Sequence, residues 1–227
     1  MFSHFDPSLL KFMRGLQANN EREWFNDHKQ QYEDHVRSPA LAFIEQMEQW
    51  IPLISPHYEA SPKKIGGSLM RVYRDVRFSK NKAPYKTNVG IKFRHEVGKS
   101  AHAPGFYLHI AADKIFLGVG IWQPDRDPLS AIRDHIVTKP GPYLDAIEHQ
   151  PFTEFYQLAG TKLIRPPKGY DKENTLIEEI KRKDFIALCQ LEESELYQPD
   201  FCKMVASRFA RAQPFQKFIC EALGLRF

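Results

Sequence analysis

The chain has 227 residues, 42% hydrophobic and 26% charged, with a net charge of +4, an ordinary balance for a globular protein that buries a sizeable core. No apolar run approaches the ~18 residues of a membrane-spanning helix, and the opening residues, MFSHFDPSLLKFMRGL, lack the basic and apolar blocks of a signal peptide. Three cysteines without metal-ligand spacing favour free, mostly buried thiols in a reducing cytoplasm. We therefore expect a cytoplasmic protein with no membrane partner, no bound metal and no cofactor.

The first third of the sequence predicts helices. DPSLLKFMRGLQ opens with Asp6 as an expected N-cap and Pro7 at the first helical position. NNEREWFNDHKQQYEDHVR offers Asn20 as the cap of a second helix. SPALAFIEQMEQWIPLI has apolar residues at helical spacing and ends at a pair of prolines, Pro52 and Pro56.

The middle of the chain changes to the period of two that is typical of strands. We predict strands near 67–78, 87–94, 105–111 and 114–122, with AADK as a hairpin connection between the last two. Helices return after Pro124, DFIALCQLE is interpreted as one edge strand, and the last helix is expected to be disturbed at Pro214. The pattern predicts one α+β domain over 1–227, with a central, mainly antiparallel sheet between helices that precede and follow it.

Several stretches resemble one widespread bacterial family. They are EREWF, GGSLMRVYRDVRFSKNKAPYKTNVGI, GFYLHI, FLGVGIWQP and PKGYDKE. The family is catalogued as domain of unknown function 2461, and the resemblance covers nearly the whole chain in order. It implies an intact single domain and supplies no activity, substrate or cofactor. One departure concerns the loop Gly169-Tyr170-Asp171, because the family usually follows it with a His-Pro pair where this chain has Asn174-Thr175.

One segment carries most of the positive charge. Between Lys63 and Arg94 there are ten lysines or arginines and a single acid, Asp75, which is a local balance of +9 and leaves −5 for the remainder. An uneven distribution of this kind indicates a local anion site rather than a basic body that coats nucleic acid. The residues 77–87, RFSKNKAPYKT, are interpreted as an exposed loop that either closes over an anion or is simply solvated.

Strand alternation places the candidate ligand-binding residues on one face of the predicted sheet. Arginine forks hold phosphate or carboxylate, and tyrosine, histidine and tryptophan orient or stack on a ligand. The predicted set is Arg71, Tyr73, Arg77, Tyr107, His109 and Trp122, with Lys80, Lys82 and Lys86 at the rim. Gly90, Gly118 and Gly120 are expected to leave space above the backbone. A buried arginine needs an acid or a bound anion, so we expect Arg71 or Arg77 to be substantially buried.

The sequence leaves several readings of this face open. The first is a site for a small anionic metabolite, with or without enzymatic activity. A nucleic-acid-binding module is less favoured because the charge outside the segment is acidic. A protein-interaction module and plain structural packing remain alternatives, the latter with the arginines paired to acids such as Glu21 or Glu23. Asp171 and Glu173 serve either as acid or base near the site or, more simply, as local caps of a turn.

Overall fold

The central element is a six-stranded sheet in which every pairing is antiparallel. The computed structural model describes residues 2–98 and 103–227. The strands are β1 (Tyr58–Glu59), β2 (Asn88–His95), β3 (Gly105–Ala111), β4 (Ile115–Ile121), β5 (Gln157–Ala159) and β6 (Phe185–Gln190). Their order across the sheet is β1-β2-β3-β4-β6-β5. The predicted α+β class with a mainly antiparallel sheet is therefore confirmed.

Helices precede and follow the main strands, as predicted. They are α1 (Ser8–Ala18), α2 (Arg22–Asp27), α3 (Lys29–Tyr32), α4 (Ser38–Met47), α5 (Ile51–Ile54), α6 (Arg126–Thr138), α7 (Pro140–Glu148), α8 (Gln150–Thr153), α9 (Ile177–Ile180), α10 (Phe201–Arg211) and α11 (Gln213–Ala222). A π-helical turn joins α3 to α4. The expected disturbance near Pro214 is confirmed, because the last helical region is split there into α10 and α11.

One face of the sheet is buried against helices. Phe93 of β2 contacts Phe43 of α4 and Phe209 of α10, with ring centroids 6.4 and 6.2 Å away. Phe106 of β3 lies 4.9 Å from the same Phe209. Complete burial of each such ring stabilises the fold by about 1.5–3 kcal/mol. The core that contains them is one continuous cluster, and it includes residues from the first helix to the last.

The prediction of a continuous strand over 67–78 is wrong. That segment forms only two isolated bridges, Leu69 with Ile91 of β2 and Tyr73 with Tyr85. The first bridge continues the sheet edge beyond β1. The second bridge pairs the segment with residues that lie just before β2. Residues 67–78 therefore form an irregular segment along the edge of the sheet, which we call the arm.

Two local features explain why the strand pattern breaks there. Pro84 lies opposite Arg74 of the arm and has no N–H to donate. Arg74 and Pro84 are therefore joined by a single backbone bond, from Arg74 N to Pro84 O at 2.9 Å. Asp75 then accepts from Arg77 N at 3.2 Å and forms a side-chain turn that competes with strand pairing. Apolar and basic residues do alternate along this segment, but their alternation does not reveal the proline opposite it or the side-chain turn at Asp75.

The other strand predictions are confirmed, with one change of position. The AADK hairpin is present, closed by Ala111 N donating to Lys114 O at 2.9 Å. The strand in DFIALCQLE is β6, which lies between β4 and β5 and is not an edge strand. The sequence analysis missed β1 and β5, because strands of two and three residues are too short to show a period.

The three cysteines are free and buried, as expected. Burial raises the pKa of Cys202 to about 12 and that of Cys220 to about 11. The pKa of Cys189 is also raised by burial. Among the described residues, no helix has the length and apolar character needed to cross a membrane.

A polar and basic sheet face as the candidate functional site

The second face of the sheet carries polar and aromatic side chains. Strand pairing places Lys92 opposite Tyr107, and His109 opposite Phe116, on this face. All four side chains are half-buried, whereas their neighbours along each strand are fully buried on the helix side. The rings of Tyr107, His109 and Phe116 contact one another rather than any helix. We call this surface the polar face.

A short hydrogen-bonded chain lies at the centre of the polar face. Asn88 Nδ2 donates to Tyr107 Oη at 3.4 Å, and Tyr107 Oη lies 3.2 Å from His109 Nδ1. Burial raises the pKa of Tyr107 to about 12 and lowers the pKa of His109 to about 4. Both groups are therefore neutral near pH 7. In the Nε2–H tautomer of His109, the tyrosine hydroxyl donates to Nδ1 and the Nε2–H is left as a donor; in the Nδ1–H tautomer, the ring donates to the tyrosine oxygen.

Two of the three glycines on this face do not leave the open space that was expected above the backbone. A Cβ at Gly90 would lie 2.7 Å from Tyr107 Oη and 2.9 Å from Met70 Sδ, so Tyr107 and Met70 already fill that position. At Gly120 the backbone has φ +105° and a Cβ would lie 2.1 Å from Phe185 O. These two glycines are required by protein packing, and the expectation that they leave room for a ligand is wrong. At Gly118 a Cβ would make ordinary contacts.

Lysines border the hydrogen-bonded chain on the β2 side. Burial lowers the pKa of Lys86, which lies two residues before β2, and the nearby charge of Arg71 lowers it further. Burial likewise lowers the pKa of Lys92, with a second contribution from Arg94. A half-buried ammonium group next to another cation is energetically unfavourable without a counter-ion, as at Lys86, whereas Lys92 Nζ donates to Ala103 O at 3.4 Å. The polar face therefore favours the arrival of negative charge.

The basic segment is not neutralised by the first helices. In the described ranges, Glu21 and Glu23 form no ion pair, and neither Arg71 nor Lys86 has a carboxylate within ion-pair distance. Arg77 is the exception, since it pairs with Asp75 at 2.7 Å. The expected pairing of the arginines with Glu21 or Glu23 is thus not found in the described residues.

The arginines of the arm are more exposed than expected. Arg71 and Arg77 are both exposed, so the prediction that one of them is substantially buried is wrong. The cause is the interrupted strand, because an arm at the sheet edge leaves long side chains in solvent. The buried guanidinium groups are found elsewhere, at Arg133 and Arg182.

Other predicted site residues are placed apart from the centre of the polar face. Tyr73 packs toward Phe25 of α2 and Tyr85, with ring centroids 6.4 and 5.4 Å away. Trp122 is 64% exposed and follows the far end of β4. It lies six residues beyond Phe116, the partner of His109, which corresponds to a separation of about 20 Å at strand spacing. Lys80 is exposed in the loop, and Lys82 Nζ donates to Val76 O at 2.9 Å. The structure therefore brings Tyr107 and His109 together, places Lys86 two residues before their partner Asn88, and separates Tyr73 and Trp122 from them.

Asn20 is a residue whose importance was missed. It was expected to cap α2, but that helix begins at Arg22 without a side-chain cap. Its amide instead bonds both backbone groups of Tyr85, with Nδ2 donating to the carbonyl and Oδ1 accepting from the N–H, each at 3.1 Å. This pair of bonds ties the basic loop to the first helices. No local pattern signals it, because the partners are 65 residues apart in the chain.

Two recesses lie away from the centre of the polar face. The larger, about 660 Å³, separates the start of α2 from the basic loop and is lined by Asn20, Glu21, Arg22, Glu23, Val76, Lys82, Ala83 and Pro84. The smaller, about 310 Å³, is mainly apolar and is lined by Phe2, Ser3, Gln46, Trp50, Pro199, Asp200, Cys202 and Lys203. Of the predicted site residues, only Lys82 lines either one.

The loop after β5 forms local turns. Asp171 Oδ1 accepts from Glu173 N at 3.0 Å, which confirms the simpler of the two expectations for these acids. Asn174 Oδ1 accepts from Leu176 N at 2.8 Å, just before α9. Asn174 therefore forms a side-chain turn before α9, a helix that has no side-chain cap.

The fold and the polar face together define an α+β protein with an antiparallel sheet, helices against one face and a half-open basic surface on the other. The chain belongs to the family described as conserved hypothetical protein (DUF2461), whose model matches residues 8–218. The resemblance inferred from the motifs is thereby confirmed. No curated protein and no solved structure matches the chain.

Proposed function

We propose that the protein binds a small anionic ligand, bearing phosphate or carboxylate, on the polar face around Tyr107 and His109. The observation that carries the proposal is Lys86, a half-buried lysine beside Arg71 that has no carboxylate within ion-pair distance in the described ranges and lies two residues before Asn88, where the neutral hydrogen-bonded chain begins. An anion bound there restores the electrostatic balance that burial disturbs.

Each group has a distinct role in this proposal. The lysines supply charge to the anion, and the guanidinium of Arg71 supplies a planar fork at the edge. His109 and Tyr107 orient the ligand through neutral hydrogen bonds, because their pKa values of about 4 and about 12 disfavour proton transfer near pH 7. Lys82, on the loop, accelerates capture by electrostatic steering.

A nucleic-acid ligand is the second candidate, and one observation favours it. Phe78 is 95% exposed in the basic loop, with Arg77 5.8 Å from its ring centroid. Exposed aromatic rings among cations are typical of surfaces that stack single-stranded bases. Salt separates the candidates, because nucleic-acid binding weakens steeply with ionic strength and a half-buried small-anion site responds less.

The test is a titration of the purified protein with inorganic phosphate, nucleotides and small carboxylates, followed by thermal shift and calorimetry. Lys86→Ala should weaken binding by about 1.5–3 kcal/mol, the value of one charged hydrogen-bonding partner. Tyr107→Phe should cost less, because only a hydroxyl is removed. Lys217→Ala, which removes one exposed charge on α11, is the matched control and should change nothing. Equal binding by wild type and Lys86→Ala would overturn the proposal.

A further inference from the structure

The basic segment leaves two large apolar side chains uncovered, one in each of its two loops. Ile65 is 93% exposed and Phe78 is 95% exposed. A single exposed apolar residue is ordinary, but these two lie in or beside a stretch, Lys63 to Arg94, that holds ten lysines or arginines and one acid. We call Ile65 and Phe78 the two tips. Apolar groups set among cations suit a partner that is both anionic and apolar.

The first tip belongs to a loop that is closed at its base. Ser61 N donates to Ser68 Oγ at 3.0 Å, and Ser68 N donates to Ser61 O at 2.8 Å. Both serines are buried, whereas Lys63, Lys64 and Ile65 between them are exposed. The loop therefore presents an isoleucine directly next to two ammonium groups, above a base that is tied to the protein.

The second tip is held in a similar way. Lys82 Nζ donates to Val76 O at 2.9 Å and closes the turn that contains Phe78. The Arg77 guanidinium lies 5.8 Å from the centroid of the phenyl ring, and Lys80, two residues beyond the ring, is exposed. Phe78 is thus also uncovered among cations, on a turn that is fastened to its own backbone.

The arm separates the two tips. It follows the edge of the sheet through four backbone bonds of 2.7–2.9 Å, which are Lys92 N to Ser68 O, Met70 N to Gly90 O, Lys86 N to Val72 O and Arg74 N to Pro84 O. Ile65 precedes these bonds and Phe78 follows them, so the tips lie toward opposite ends of the arm. Six residues of extended chain span about 20 Å. A partner that contacts both tips therefore presents an extended surface rather than a single anionic group.

We propose that the basic segment docks on an anionic lipid bilayer, with Ile65 and Phe78 entering the headgroup layer and the lysines beside them contacting lipid phosphates. In the described ranges, Lys63, Lys64 and Lys80 have no carboxylate within ion-pair distance, so their charges are available to phosphates. Apolar insertion and polybasic attraction are each weak alone, and stable surface binding combines them.

This proposal goes beyond the small-anion function and departs from the expectation of no membrane partner. That expectation considered only segments that span a bilayer, and docking on a surface needs no spanning helix. The aliphatic tip favours lipid over nucleic acid, because Ile65 has no aromatic ring to stack on a base. Hydrocarbon, by contrast, accepts an isoleucine and a phenylalanine alike.

The experiment measures sedimentation of the full chain with vesicles of phosphatidylglycerol and phosphatidylcholine in equal parts, and with vesicles of phosphatidylcholine alone. Wild type should bind the anionic vesicles and not the neutral ones. Ile65→Ser and Phe78→Ser should each weaken that binding about tenfold. Both variants should unfold in urea as wild type does, because each side chain is exposed. Wild-type protein that does not bind the anionic vesicles would overturn the proposal.

Ile164→Ser is the matched control for the two tips. Ile164 is 94% exposed in the loop after β5, outside the basic segment. Its replacement should leave vesicle binding unchanged, because the proposed contact is made elsewhere. Equal losses for all three variants would show that binding follows general surface hydrophobicity, and the assignment to the tips would then be wrong.

Two outcomes would assign the segment to another partner. Oligothymidylate binding that Phe78→Ser weakens, together with vesicle binding that Ile65→Ser leaves unchanged, would make it a nucleic-acid surface and the lipid proposal wrong. Vesicle binding that Lys86→Ala removes and both tip variants retain would place the contact on the polar face and equally overturn the proposal. Inorganic phosphate should bind the two tip variants as it binds wild type, so the proposed function is tested separately.

Discussion

The tie between Asn20 and the basic loop can be broken by a single substitution, Asn20→Ala. The change removes both bonds to the backbone of Tyr85, each 3.1 Å long, and leaves that N–H and C=O without their partner. Tyr85 is 4% exposed and stacks on Phe25 at 4.1 Å, so water replaces the lost amide poorly. At about 0.5–1.5 kcal/mol for each net hydrogen bond, the expected loss of folding free energy is about 1–3 kcal/mol.

The assay is urea unfolding combined with native-state amide exchange. A loss of about 2 kcal/mol corresponds to about 4–8 °C in melting temperature for a chain of this size. Exchange of the Tyr85 amide should accelerate before global unfolding, because the loop opens locally when the tie is gone. The protection of the sheet core should fall only by the global loss of stability, since no strand loses a bond.

Asn19→Ala is the matched control for this prediction. Asn19 is exposed, and its Nδ2 donates only to Gly15 O of the preceding helix at 3.0 Å. Its removal should cost less than about 1 kcal/mol and should leave the exchange of the Tyr85 amide unchanged. Equal losses for the two asparagines, or an Asn20→Ala protein in which the Tyr85 amide exchanges as slowly as in wild type, would refute the reasoning.

Three further outcomes are expected. His109 has a folded pKa of about 4, below the value of about 6.5 for an unfolded chain. It therefore contributes stability above pH 6.5 that is lost as pH falls toward 4, and His109→Asn should reduce this acid sensitivity in urea unfolding at a series of pH values. Gly120→Ala should cost more than about 2 kcal/mol because of its positive φ, whereas Gly118→Ala, with ordinary contacts, should cost less than about 1 kcal/mol by the same measurement. Glu179→Gln should destabilise by about 3–5 kcal/mol in urea, because it leaves the buried charge of Arg182 without its partner.

The main strands were predictable because each has one face in the core. Along β2, β3 and β4 a buried residue recurs at every second position, so a simple period locates these strands to within one residue at each end. The arm at 67–78 shows the same alternation, yet it pairs only at isolated points. Whether an alternating segment becomes a strand depends on what lies opposite it, and here Pro84 cannot donate. That information lies in another part of the chain.

The centre of the polar face was partly predictable. Tyr107 and His109 are two residues apart on one strand, so the alternation of side chains along a strand is enough to place both on the same face. The bond from Asn88 and the position of Tyr107 across Gly90 depend on the register between strands, which a single sequence does not fix. The burial of Arg133 was not predicted for a related reason: its carbonyl partner, on Arg182, lies 49 residues later in the chain.

Two of the buried thiols make the protein a convenient reporter of its own opening motions. Cys189 and Cys220 belong to β6 and α11, and a thiol-reactive dye meets each of them only when that element opens, whereas Cys202 of α10 lines the smaller recess. The separate labelling rates of Cys189 and Cys220 therefore give separate opening free energies for the sheet and for one of its helices. By the same logic, a cysteine introduced on the polar face would be the rapidly labelled position, so a fluorophore could be attached there without altering the native thiols.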